Sequence, residues 1–103
     1  MALRELSTAE RAEARSKALE ARQARAALKA SFAEGEVTLH DVFERADADP
    51  IARLRTVDLL QALPGVGEVR AQAVMEACEI SAPRRLRGLG RRQREALIAY
   101  IGR

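Results

Sequence analysis

The feature that most constrains the fold of this chain is a short turn near its middle, Leu63–Gly67, which reads LPGVG. Proline is disfavoured in helix interiors and glycine favours helix ends, so this segment ends one helix and begins another. Apolar residues recur at helical spacing on both sides of the turn, and no segment shows the alternation that is typical of a strand. The sequence therefore predicts an all-α fold that contains a tight hairpin between two helices.

Signals for helix starts and stops divide the chain into a long N-terminal helix and a compact core. Ser7 and Glu10 have the spacing of a capping box and Gly35 fits a C-terminal stop, which predicts a helix over residues 7–35. We expect residues 38–103 to form the core and residues 1–103 to make a single domain, because no linker divides a chain this short. Thr56 is expected to cap one of the shorter helices. The shorter helical segments are predicted at 39–45, 50–54, 57–63, 68–78 and 91–101.

The predicted core is aliphatic, because aromatic residues make up only 3% of the chain. Leu28 and Phe32 lie near the end of the long helix, so that helix is expected to dock by its last turns and to project its first turns into solvent. The other residues expected to face inward are Leu39, Val42, Phe43, Val69, Ala73, Val74, Ile80, Leu86, Leu89, Leu97, Ile98 and Ile101.

Charge is distributed unevenly along the chain. The net charge is +3, with a balance of −2 over residues 1–49 and +5 over residues 50–103. Sixteen of the 18 basic residues are arginine, whose planar guanidinium matches phosphate oxygens, although a GC-rich genome would produce the same bias. The asymmetry predicts a polyanionic partner for the C-terminal half.

Several classes of protein are disfavoured by what the sequence contains. Cys78 is the only cysteine, which excludes an intrachain disulfide and is typical of a cytoplasmic protein. No apolar run has the length of a membrane span, and no signal-peptide pattern opens the sequence. We expect His40 to lie at the surface and Cys78 in the core, and no paired carboxylates are evident. An enzyme, a bound metal and a cofactor are therefore not expected.

The turn at Gly65, Val66 and Gly67 has the chemistry of an anion-binding site. Glycines let the main chain approach a ligand closely, and the helix that follows offers N–H groups without helical acceptors at the positive end of its dipole. Val66 is expected to point back between the two helices. The pattern Gly–hydrophobic–Gly between two helices resembles the helix-hairpin-helix motif, and Arg70 could add a contact from the next turn. An ordinary glycine turn is the alternative.

A second basic element is the segment from Arg84 to Arg94, RRLRGLGRRQR, which has no acidic residue before Glu95. Its six arginines repel one another unless an anion lies among them, so we expect them to face outward and to contact phosphates. A solvated basic loop is the alternative. Gly88-Leu89-Gly90 repeats the Gly–hydrophobic–Gly pattern before a helix and could provide another phosphate site. The arginines of this segment are Arg84, Arg85, Arg87, Arg91, Arg92 and Arg94.

A third basic element lies on one face of the long helix, where five cationic residues fall within an arc of roughly 80°. The flanking and opposite positions are mostly alanine. This face is a candidate second DNA surface, and a solvated helix with mixed charges is the alternative. The five residues are Arg11, Arg15, Arg22, Arg25 and Lys29.

The order of these elements resembles the actinobacterial integration host factors, a family of nucleoid-associated proteins. The resemblance rests on the alanine- and arginine-rich first helix, on LLQALPGVG at 59–67 and on RRLRGLG at 84–90, and it covers nearly the whole chain. The C-terminal part is similar to the helix-two-turns-helix domain of ribosomal protein S13. The resemblance implies binding of duplex DNA with little sequence preference, DNA bending or compaction, and stimulation of recombination through integrase–DNA complexes. It implies a nucleoid protein, expected to be a monomer in solution.

By the same resemblance, the hairpin would contact DNA through its backbone, and Arg84, Arg85 and Arg87 would be the key side chains. The sequence departs from the family at Glu68, where relatives commonly have lysine. RNA binding in the manner of ribosomal protein S13 is the main alternative, since phosphate contacts do not distinguish RNA from DNA. A protein-interaction module is a further alternative. DNA glycosylases that carry the hairpin motif need a larger body and a catalytic Asp or Lys beside it, so that class does not fit.

Overall fold

The computed structural model describes residues 5–103, which fold into five α-helices and two 3-10 turns. Within this range the only extended pairing is an isolated antiparallel bridge between Arg55 and Arg85. The prediction of an all-α fold is confirmed. The helices are α1 Thr8–Ala33, α2 Leu39–Glu44, α3 Thr56–Gln61, α4 Glu68–Ala77 and α5 Arg91–Ile101, and the 3-10 turns are Ile51–Arg53 and Leu86–Gly88.

The first helix begins and ends where its signals indicate. Ser7 Oγ accepts a hydrogen bond from Glu10 N–H at 3.1 Å, Glu10 Oε1 accepts one from Ser7 N–H at 3.2 Å, and Gly35 follows the helix with φ +80°. Only Leu28 and Phe32 of α1 are buried, so the helix docks by its last turns. A helix of 26 residues is about 39 Å long, and its first turns project into solvent.

The projecting helix accounts for the extended dimensions of the chain. The radius of gyration is 15.9 Å, larger than the value of about 13 Å that is typical of a compact domain of 100 residues. The remaining elements enclose a mainly aliphatic core to which both 3-10 turns contribute, with Ile51 and Leu86 almost fully buried. Leu86 and Leu89 anchor the arginine-rich segment as predicted. Leu97 is buried, while Ile98 and Ile101 are partly buried against the core.

The face of helix α4 that packs against the core differs from the face that the spacing of its apolar residues predicted. Ala71, Val74 and Met75 are buried, whereas Val69 is 84% exposed and Ala73 is exposed. The prediction that Val69 and Ala73 belong to the core is wrong. The hairpin rotates the helix so that these two residues lie on its outer side.

The prediction that Thr56 caps α3 is also wrong. Arg55 is the residue before the helix, and Thr56 is its first residue and is fully buried. The main-chain N–H of Thr56 donates to Arg84 O at 3.1 Å, and the N–H of Leu86 donates to Leu54 O at 2.9 Å. This pairing of two distant segments determines where α3 starts, because it holds Thr56 against the core.

Candidate functional site

The hairpin between α3 and α4 presents its backbone to the outside. Gly65 has φ +79°, a conformation that residues with a Cβ rarely adopt, and Val66 N–H donates to Leu63 O at 3.1 Å to close the turn. Val66 is half-buried against the core, as predicted. Beyond the adjacent residues of the chain, no protein atom lies within 4 Å of a Cβ built on Gly65 or on Gly67. The outer surface of the turn is therefore open to a ligand.

The start of α4 offers main-chain donors at this open surface. Gly67 precedes the helix with extended backbone and makes no side-chain cap, and the first helical hydrogen bond runs from Ala71 N–H to Gly67 O at 2.9 Å. The N–H groups of Glu68, Val69 and Arg70 consequently have no acceptor within the helix. These donors lie at the positive end of the helix dipole, where an anion is stabilised.

Glu68 places a carboxylate beside these donors. Its Oε1 lies 3.5 Å from Gln72 Nε2, at the limit of a hydrogen bond, so the carboxylate lies toward the second turn of the helix. Arg70 brings the opposite charge to the same turn and is exposed. Of the predicted site residues, Gly65, Val66, Gly67 and Arg70 are thus brought together.

An open groove of about 1010 Å³ lies beside the hairpin, between α4 and α5. We call it the hairpin groove. Val69 and Tyr100, 84% and 58% exposed, are its most exposed apolar side chains, and Arg70 and Arg103 add positive charge. Tyr100 and Arg103 were not predicted as site residues, since nothing in their local sequence distinguishes them from the end of an ordinary helix.

The arginine-rich segment is divided among different roles. Arg85 forms the extended bridge with Arg55, and its side chain donates to Arg53 O. Arg84 Nη1 donates to Gly88 O at 2.7 Å. Arg91 Nε lies 3.1 Å from Glu95 Oε1 in an exposed ion pair. Arg87 and Arg92 are exposed.

Arg94 is not an outward-facing residue, contrary to the prediction for this segment. Its side chain is only 20% exposed and pairs with Asp47 at 3.0 Å. It also donates to the carbonyl oxygens of Leu89 and Phe43, at 3.1 and 3.4 Å, and its guanidinium lies 5.4 Å from the centre of the Phe43 ring. Arg94 therefore joins α5 to α2 and to the second 3-10 turn. Its charge is compensated by Asp47 and by main-chain carbonyl oxygens of the protein itself.

A second concave surface lies between α1 and the core, with a volume of about 1060 Å³. We call it the cationic groove. It unites two sets of residues that are distant in sequence, since Arg85 comes from the arginine-rich segment and Arg22 and Arg25 come from the first helix. Its charged residues are Lys17, Arg22, Arg25, Arg53, Arg55 and Arg85 with the carboxylates Asp49 and Asp58.

Lys17, Arg53 and Arg55 were not predicted as site residues. Arg53 pairs with Asp49 at 3.3 Å and Lys17 with Glu13 at 3.2 Å, whereas Arg55 enters the groove through its bridge with Arg85. That pairing joins residues 30 positions apart in the chain, which no local pattern indicates.

The basic face of α1 is only partly directed to solvent. Arg11, Arg15 and Arg22 are exposed, whereas Arg25 is half-buried and donates to Pro50 O at 3.3 Å. Lys29 is half-buried near Asp58 and Gln61 of α3, in a separate small depression. The five residues of this face therefore do not form one continuous surface: some face solvent, some line the cationic groove, and Lys29 lies against α3.

Cys78 and His40 lie outside both grooves. Cys78 is buried, and burial raises the pKa of its thiol, so the reactive thiolate is disfavoured. His40 is exposed and lies 3.1 Å from Glu44 on the next helical turn. Across residues 5–103 no cluster of His, Cys, Asp and Glu could hold a metal ion, and no helix is long and apolar enough to cross a membrane.

Comparison with protein families gives a match to the S13-like H2TH domain over residues 32–101. Among curated proteins, the chain is 46% identical to the integration host factor of Mycobacterium tuberculosis over 103 residues, covering 99% of this chain and 98% of that protein. It is 42% identical to the integration host factor of Streptomyces coelicolor, covering 99% of this chain and 96% of the relative.

Among solved structures, the chain is similar to sIHF bound to an 8bp palindromic DNA, with a TM-score of 0.79 and 40% identity. The match covers 82% of this chain and 97% of that one. The resemblance predicted from the sequence is confirmed by these comparisons, and so is the combination of a long first helix with an H2TH domain.

Proposed function

This chain belongs to the integration host factor family with an S13-like H2TH domain, and we propose that it is a nucleoid-associated protein that binds duplex DNA. The observation that carries the proposal is the open hairpin, where Gly67 leads into a helix whose first N–H groups have no helical acceptor and makes no side-chain cap. A relative of the same fold is bound to DNA. RNA binding, the alternative from the sequence, is disfavoured by the relatives' name and by that bound DNA.

The proposed contact at the hairpin is a phosphate held by main-chain N–H groups. Such contacts fix the position of DNA but read no bases, so we expect little sequence preference. Arg70 adds charge at the same turn. The exposed residues Arg84, Arg87 and Arg92 are proposed as further phosphate contacts, as is Arg91 when its exposed pair with Glu95 opens.

The proposed second DNA surface is the cationic groove, which brings Arg22 and Arg25, predicted for a second surface, together with Arg85, predicted for the first. Six cationic residues face two carboxylates there, so the groove keeps a positive charge. Arg11 and Arg15 extend this charge along the free part of α1, whereas the position of Lys29 against the core makes it the weakest candidate. A protein with two such surfaces can hold two parts of one duplex, which would bend or compact it.

The salt dependence of binding tests the proposal directly. If about five phosphates are contacted, log K should fall with log[salt] with a slope of roughly −4 to −5. Fluorescence anisotropy with a labelled duplex at increasing salt measures this slope, and competition with duplex RNA and single-stranded DNA tests the preference for duplex DNA. An affinity that does not change between low and moderate salt would contradict the proposal.

A matched pair of variants tests the cationic groove. Arg55→Gln removes a charge from the groove and should lower the magnitude of the salt slope by about 0.9, because one fewer counterion is released. Arg45→Gln removes an exposed charge from the end of α2, outside both grooves, and should leave the slope unchanged. Equal effects of the two variants would assign the charge dependence to the whole surface rather than to the groove.

We further propose that residues 1–103 act as a single domain and as a monomer in solution, in the cytoplasm on the nucleoid, without catalysis. Leu28 and Phe32 tie α1 into the core, which supports one cooperative unit. A single unfolding transition and a monomer mass by light scattering are the expected results. Stimulation of site-specific recombination through integrase–DNA complexes is proposed from the family alone, and a recombination assay with and without the chain tests it.

A further inference from the structure

The hairpin groove combines two properties that a phosphate contact alone does not need. Two of its apolar residues are exposed, Val69 at 84% and Tyr100 at 58%, and half-buried Val66 and Ile101 line the same groove. Arg70 and Arg103 add positive charge, against the single carboxylate of Glu68. An apolar surface lined by cations is complementary to a ligand with apolar faces and phosphates at its edges.

We propose that the hairpin groove receives the deoxyribose edge of the DNA minor groove, with Val69 and Tyr100 in contact with the sugars. This inference rests on the proposed function, because it requires a DNA phosphate at the hairpin. It adds an apolar contact to what would otherwise be a purely electrostatic interface.

The position of Val69 on α4 carries the argument. Val69 is the second residue of the helix, and its own N–H is one of the donors that have no helical acceptor. A phosphate oxygen about 2.9 Å from that nitrogen lies within about 5 Å of the Val69 Cβ, given standard backbone dimensions. Side chains on a helix also tilt toward its N-terminus, so the isopropyl group points to the anchored phosphate. In the proposed complex, the sugars attached to that phosphate lie against Val69.

The shape of the site favours the minor groove over the major groove. The major groove is about 12 Å wide and accepts a whole helix, whereas the minor groove is about 6 Å wide and accepts single side chains and arginines. Val69 and Tyr100 are single projecting side chains, and Arg70 and Arg103 lie in the same groove. Minor-groove proteins combine basic side chains with apolar ones, as this groove does.

The intrinsic tyrosine fluorescence of the chain can report on this contact. Tyr100 is the only tyrosine and there is no tryptophan, so intrinsic fluorescence reports on the hairpin groove alone. We expect quenching of this fluorescence by acrylamide to become about two-fold weaker or more on saturation with a short duplex, since DNA would cover the exposed part of the ring. A minor-groove ligand such as netropsin should restore the quenching by displacing the sugar contact.

A conservative variant tests the Val69 contact separately. Val69→Thr keeps the branched shape and exchanges one methyl group for a hydroxyl, so we expect about four-fold weaker duplex binding, the factor that corresponds to one buried apolar group. The salt slope should not change, because no charge is removed. Ala77→Ser, an equally small polar change at the exposed far end of α4, should leave the affinity unchanged.

The outcomes separate this inference from the proposed function. Duplex binding with unchanged Tyr100 quenching, or with Val69→Thr indistinguishable from Ala77→Ser, would overturn the minor-groove contact and leave DNA binding intact. Absence of duplex binding would overturn both. Protection of Tyr100 that rises with protein concentration in the absence of DNA would assign the groove to a second copy of the chain and would also overturn the inference.

Discussion

Replacement of Gly67 by alanine separates the stability of the hairpin from its ability to bind. Gly67 has φ −89° and ψ −171°, which alanine adopts without strain, and the new Cβ would meet no protein atom within 4 Å. Loss of glycine flexibility in the unfolded chain favours folding by about 0.4–1 kcal/mol, whereas alanine is the poorer helix cap by a similar amount. We therefore expect the free energy of unfolding to change by less than about 1 kcal/mol.

The effect on DNA affinity should be much larger. The added methyl group lies beside the N–H groups of Glu68 and Val69, at the surface where the proposed phosphate approaches. If one or two hydrogen bonds to the charged phosphate are lost, each worth about 1.5–3 kcal/mol, the total is near 3 kcal/mol. That loss corresponds to an affinity about 100-fold weaker.

Two measurements on the same variant test this reasoning. Urea unfolding gives the stability, and anisotropy titration with a labelled duplex gives the affinity. Gly65→Ala is the contrasting variant: its φ of +79° makes alanine cost about 1–2 kcal/mol of stability, even though its Cβ also meets no atom. A stable Gly67→Ala protein that binds duplex DNA with normal affinity would refute the backbone anchor.

Other variants test separate parts of the structure. Glu68→Lys replaces a repelling carboxylate by a cation at the hairpin, so it should strengthen duplex binding. The magnitude of the salt slope should rise by about one to two, measured by titration at several salt concentrations. Arg94→Gln should lower the free energy of unfolding by about 2–3 kcal/mol through loss of its carbonyl and Asp47 contacts, whereas the exposed Arg92→Gln should change it by less than about 0.5 kcal/mol in urea unfolding. Hydrogen bonds from Thr38 hold the pKa of Asp41 below its ordinary value, so its stabilising effect is present near neutral pH and is lost as the pH falls through that lowered pKa. The difference in urea midpoint between wild type and Asp41→Asn should accordingly shrink as the pH falls through that lowered pKa.

The fold was largely predictable because its helix boundaries are set by local chemistry. The capping box of α1 and the glycine before α5 act within a few residues, so both helices begin where the sequence indicates. The burial of α4 was not predictable from spacing alone. Valine is apolar at both position 69 and position 74, and only the orientation of the hairpin decides that Val69 faces solvent while Val74 is buried.

The candidate site was predictable where it is contiguous in sequence and not where it depends on long-range pairing. The hairpin and Arg70 lie together because they are neighbours in the chain. The contribution of Arg55 to the cationic groove depends on its bridge with Arg85, which has no local signal. Arg94 was assigned to the surface because its neighbours are arginines, yet the carbonyl oxygens of Phe43 and Leu89 provide a buried site for one guanidinium.

The surface between the two grooves constrains how DNA can reach both. A small depression between α3 and α4 is lined by Arg55 and Asp58, which also line the cationic groove, and by Glu68 of the hairpin. A backbone strand crossing this depression would pass Asp58 and Glu68, which repel phosphates. A duplex that contacts both grooves would therefore be repelled where it crosses the surface between them. This repulsion disfavours a straight duplex laid across both grooves and agrees with the proposed bending, or with the binding of two separate segments.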